Sequence, residues 1–321
     1  MGAKREIGLN SVLRAELNLP CPGDGHAFRM MAERWITAAL AELAGALGDG
    51  FGYNRDFSAG ALAISKEKAE PGTLWASLTV LAPVKRRQKP YEVPWTPRNW
   101  HTFLRDLESM PGESKLVLRS IGPDGHPDIP WLDVTVVREN ETPELVSLSA
   151  SRTTEEFDDP VARHEAQRRW TRFFRSQVSA HDHILYGSVA DDAESATGRT
   201  ALETALGLLL EDTYPEMESI LRGYSWWTVC SPGVVSELGG IGCLRDTGAF
   251  HQVEPLPGGG VSLRVTENIW EYTEDRVQAG FRALAPALPR GRPTPWITAD
   301  VPRLAFQDPI ESHAHLDRES P

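Results

Sequence analysis

Three times along this 321-residue chain a short polar residue is followed by proline and then by an apolar stripe: Thr96-Pro97, Asp159-Pro160 and Ser231-Pro232. A polar N-cap with proline at the first helical position is a strong local start signal, because the N–H that proline lacks would be unsatisfied there anyway. The first start leads into Trp100, Phe103, Leu104 and Leu107, and the second into Trp170, Phe173, Phe174 and Val178. The third is stopped early by Gly239-Gly240. Spacings of three and four place each apolar set on one face, which predicts helices that cover a core from one side. A further helix over residues 28 to 47 carries Ile36, Ala39, Leu40, Leu43 and Leu47 ahead of Gly48. Two more are marked by Leu202, Ala205, Leu206 and Leu209, and by Val277, Phe281 and Leu284.

Between these helices the period falls to two. "VSLRVT" (261 to 266) alternates strictly after the glycine turn at 258 to 260, and "GPDGHPD" (122 to 128) turns a strand back into "WLDVTVV" (131 to 137). "TLWASLTVL", "ELVSLSA", "HILYGSV" and "SWWTVC" read as further strands. Residues 73 to 178 thus give strand, helix, three strands, helix, and residues 183 to 285 give strand, helix, strand, short helix, two strands, helix. This order predicts an α+β protein of antiparallel sheets backed by helices, its echo pointing to two related α+β units. The expected boundaries are an N-terminal unit over 1–180, a C-terminal unit over 181–290 and an irregular tail over 291–321.

A formal net charge of −12 opposes binding to nucleic-acid backbones and anionic membranes, whose affinity comes from clustered Lys and Arg. The one basic run, "KRRQK" at 85 to 89, reads as a solvated loop. Lysine is confined to positions up to Lys115, and an Arg bias of this kind fits a GC-rich, actinobacterial-type genome. Cys21, Cys230 and Cys243 lie far apart, which favours a reduced cytoplasm over a disulfide framework. No stretch approaches the roughly 18 apolar residues that span a bilayer.

Catalytic signatures fail one by one. "SHAHLD" (312 to 317) is similar to the opening of TatD- and amidohydrolase-type hydrolases, but there a whole barrel follows and supplies the other ligands. His181 and His183 of "HDH" would share one side of a strand, a geometry that suits a metal, yet a third ligand cannot be named. "HEAQR" (164 to 168) has Arg168 where a zincin needs its second histidine, and "GYSWW" (223 to 227) ends in Trp where a nucleophile elbow needs Gly. No phosphate-binding loop is spelled out. The residues therefore point to no catalytic, cofactor or metal site. They leave catalysis open while leaning away from it.

Three acidic clusters stand out: "TTEEFDD" with Glu155, Glu156, Asp158 and Asp159; "DDAE" with Asp191 and Asp192; and "EDTYPEME" over 211 to 218. The adjacent Trp226 and Trp227 face opposite sides of a strand, so one of them covers the second face of a sheet, under helix or against a partner. From "RGYSWWTVCSPGVVSELGG" through "GGGVSLRVTENIWEY" to "LAPALPRGRP", the chain resembles bacterial α+β proteins related to immunity proteins of polymorphic and type VI toxin systems. The resemblance implies a cytoplasmic protein that neutralises a toxin by binding it, with no cofactor and no chemistry. On that reading the acidic clusters, Trp226 and Trp227 are the partner-binding candidates, and the partner is a basic toxin or effector. The alternatives are a metal-dependent hydrolase acting through His181, Asp182 and His183, or a scaffold subunit.

Overall fold

The computed structural model describes residues 12–45, 47–48, 71–72, 74–81, 90–139, 142–191, 198–292 and 304–305. "KRRQK" and "SHAHLD" lie outside the described residues, as does Asp192. The chain is α+β and forms two compact units, one over residues 18–178 and the other over 1–17 with 179–321. Residues up to 17 thus group with those from 179 onward.

In the 18–178 unit an antiparallel sheet runs in the order β3 (Tyr91–Pro94), β2 (Leu74–Leu81), β4 (Glu113–Ile121), β5 (Pro127–Arg138), β6 (Leu145–Thr153). Its register lines up Val93, Leu78, Leu116, Val134 and Ala150 across the strands. The last four of these are fully buried, as are Ala76, Leu118, Leu132 and Val136 on the same face. The opposite face carries ion pairs such as Lys115–Asp133 at 3.0 Å. Helices α1 (Gly25–Leu43), α2 (Pro97–Leu107) and α3 (Pro160–Val178) belong to this unit, α1 packing on α2, α3, β5 and β6.

The helix starts follow their local chemistry. Asp24 accepts from the Ala27 N–H, Thr96 from Asn99 and Asp159 from Val161, each side chain satisfying an amide that the first turn leaves without an internal partner. Trp35 of α1 is fully buried, donates its indole N–H to the Ser149 carbonyl at 3.1 Å and lies 4.9 Å from the Phe173 ring of α3.

The other unit orders its strands β1 (Val12–Pro20), β7 (Tyr186–Asp191), β8 (Trp227–Cys230), β10 (Val261–Arg264), β9 (Gln252–Pro255), the last four each antiparallel to the next. Strand β1 (Val12–Pro20) contributes its residues up to Leu17 here and its end to the 18–178 unit. It alternates Leu13, Ala15, Leu17 and Leu19 with Arg14, Glu16 and Asn18, and all seven are buried.

Helices α4 (Ala201–Leu206), α5 (Leu210–Thr213), α6 (Pro232–Glu237), α7 (Gly240–Asp246) and α8 (Glu274–Leu284) are this unit's α-helices among the described residues. The helix expected through Leu209 stops earlier. Gly207 caps α4 in the left-handed region at φ 70°, and Leu209 is turned out to 49% exposure.

The glycine turn between β9 and β10 is held against another loop. A Cβ on Gly258 would lie 1.6 Å from the Asp182 carbonyl oxygen, which is backbone and cannot rotate away. Gly258→Ala is accordingly expected to cost about 1–3 kcal/mol, as overpacking does. Chemical denaturation would check this, with Gly259→Ala, whose Cβ would meet only Pro232 side-chain atoms no closer than 3.6 Å, as a test of the strain from positive φ alone.

Candidate functional site

The densest polar chemistry lies in the unit formed by β1 and residues 179 onward, around Arg222. This guanidinium is fully buried. It donates to both Glu203 oxygens at 2.8 Å, to Glu16 Oε1 at 2.7 Å and to the Gly198 carbonyl at 2.9 Å. The rings of Tyr214 and Tyr186 lie 4.5 and 5.4 Å from its carbon. Burial works against the charge, but Glu16, Tyr214 and Glu203 outweigh it and raise the Arg222 pKa well above its ordinary value.

The carboxylates are equally well satisfied. Glu203 accepts from the Thr213 hydroxyl and from the Thr200 N–H, with Thr200 capping α4 in return. Glu16 pairs through its second oxygen with Arg14 at 3.1 Å. Two arginines and two glutamates thus form a neutral set, and the adjoining pocket adds Arg199 and Asp191 on its walls. The Arg222 guanidinium and both glutamates are thus engaged internally, as suits the frame of a unit.

The loop before β7 carries the histidine pair. His183 Nε2 stands 3.2 Å from Glu218 Oε2, both side chains about half exposed. Asp182 is exposed, and His181 is half-buried. Among the described residues no group of three or more His, Cys, Asp or Glu side chains is arranged to hold a metal ion.

The acidic candidates separate. Glu156 is tied to Arg152 and Arg169, and Arg152 in turn donates to the Leu43 carbonyl at the end of α1. Glu155 stands 3.7 Å from the same arginine. These two carboxylates serve as internal clasps of the 18–178 unit. Asp158 and Asp159 are exposed, with Asp159 also capping α3, and Asp191 ends β7 beside the polar pocket.

The expectation that Trp226 or Trp227 meets a partner requires correction. Both are 1% exposed. Trp226 donates its indole N–H to the Thr266 carbonyl at 3.0 Å and Trp227 to the Ser262 hydroxyl at 2.7 Å. Trp226 precedes β8 and its ring meets that of Trp227 edge to face, centroids 5.9 Å apart, so the two pack together in the core and do not divide between the faces of a strand.

An open acidic surface lies at the short helical turns over 209–218. Leu209 projects at 49% exposure, and Glu211, Asp212, Glu216 and Glu218 are all exposed. Asp212 accepts from the Leu209 N–H and Glu218 meets His183, but Glu211 and Glu216 have no ion-pair partner among the described residues. Sequence reasoning found the acids and missed the leucine. The signal was Gly207, a C-cap residue that ends the helical stripe before Leu209.

No helix among the described residues is long and apolar enough to cross a membrane. No family model matches the chain, and no curated protein matches it. Among solved structures it is similar to a Pseudomonas aeruginosa T6SS protein, PA0821, with 13% identity and a TM-score of 0.48 over 86% of this chain and 76% of that one.

Proposed function

We propose that the chain is a non-enzymatic, immunity-type protein that neutralises a basic toxin by direct binding. The observation that carries this reading is the 209–218 turn, where one exposed apolar side chain is flanked by four exposed carboxylates. Interfaces combine an apolar anchor with a charged rim, the rim steering the encounter and the anchor slowing dissociation. The net charge of −12 extends the same field and selects a basic partner.

The test uses the product of a toxin-like reading frame beside the gene. Glu211→Lys combined with Glu216→Lys is expected to slow association by roughly tenfold or more at low ionic strength, with a flatter salt dependence. Leu209→Asp is expected to speed dissociation instead. Growth protection by the co-expressed protein should fall in both cases. Unchanged association, dissociation and protection in these variants would remove the turn as the binding surface.

A further inference from the structure

Beyond α8 the described chain continues through a 3-10 turn, Ala285–Ala287, to Arg292, and Leu304 and Ala305 are described again. These two residues do not lie in open solvent. Ala305 is 2% exposed and donates its backbone N–H to the Tyr224 hydroxyl at 2.9 Å. Leu304 forms part of the wall of the pocket that also includes Arg14, Glu16, Tyr186, Asp191 and Tyr272. With Leu304 in place the free volume is about 40 Å³, room for a few water molecules. Tyr224 itself is held by Phe281 of α8, ring centroids 5.6 Å apart.

We propose that the crevice at Tyr224 is a seat for extended polypeptide, filled in cis by Leu304–Ala305, and that this segment acts as a latch over the Arg14–Glu16–Arg222 network. The chemistry fits such an occupant. A buried phenol hydroxyl reads a backbone N–H without regard to side chain, while the near-complete burial of Ala305 restricts that position to a small residue. Leu304 supplies an apolar wall beside charged pairs that attract more strongly when water is kept away. Leu304 and Ala305 are thereby tied to the unit that carries Tyr224.

Hydrogen exchange in the full-length chain tests the seat. The Ala305 amide is expected to exchange at least about tenfold more slowly than in a synthetic peptide of residues 300–310. Tyr224→Phe removes the acceptor, so Ala305 exchange should rise towards the peptide value while the amides of β8 keep their protection. In the same variant, phenylglyoxal modification of Arg14, located by mass spectrometry, should accelerate severalfold as the latch lifts. Exchange of Ala305 at the peptide rate in the unmodified chain overturns the seat. Should Tyr224→Phe loosen β8 as well, Leu304→Ser provides the second reading, and an Arg14 rate unchanged in that variant overturns the latch.

Discussion

Arg222→Met is expected to lower the stability of the unit containing β7 to α8 by about 3–5 kcal/mol, because it leaves Glu203 buried without its counter-charge and Glu16 with Arg14 alone. Methionine occupies much of the same space, so the loss reports electrostatics and hydrogen bonding more than a cavity. Urea denaturation followed by tryptophan fluorescence suits the measurement, since Trp226 and Trp227 lie in this unit. The triple change Arg222→Met, Glu16→Leu, Glu203→Leu should recover part of the loss, as apolar replacement of a whole buried set often does. A loss below about 1 kcal/mol for the single variant would show that the network contributes little.

Trp35→Ala is expected to cost the 18–178 unit about 3–5 kcal/mol, the usual range for emptying a fully buried aromatic site. Three contributions combine: the lost apolar burial, the lost contact with Phe173 and a Ser149 carbonyl left without its indole donor. Trp35→Phe keeps much of the volume and should cost less, separating packing from the hydrogen bond. Thermal unfolding of both variants beside the unmodified chain measures the difference. Equal melting temperatures for Trp35→Ala and the unmodified chain would exclude the indole as a core element.

What the sequence discloses and what it conceals follow from the range of the interactions. Thr96, Asp159 and Ser231 cap their helices through amides two or three residues away, so those starts were legible. The turn at "GPDGHPD" was legible for the same reason, closing β4 onto β5 through neighbouring residues. Strand β1 was not read, although Leu13, Ala15, Leu17 and Leu19 alternate correctly. Its second face carries Arg14, Glu16 and Asn18, which look solvent-bound until the remote partners that bury them are known. The partner candidates divided on the same ground. Exposure of Asp158 and Asp159 agrees with their local polarity, whereas Glu156 is withdrawn by arginines and the tryptophan pair by burial in the core, neither of which local sequence reports.

The ion pair between Glu16 and Arg222 joins residues 206 positions apart. On a ribosome adding roughly 5–20 residues per second, Glu16 waits about 10–40 s for its counter-charge to be made. The residues of the 18–178 unit are complete well before that. Its sheet, built from successive hairpins over β4, β5 and β6, can close while the rest is still being synthesised. The edge of β1 that pairs with β7 has to wait for residues 186–191, and Glu16 longer still, for Arg222. During that window, and not in the finished fold, this strand is the segment on which a chaperone or a misdirected neighbouring chain would act.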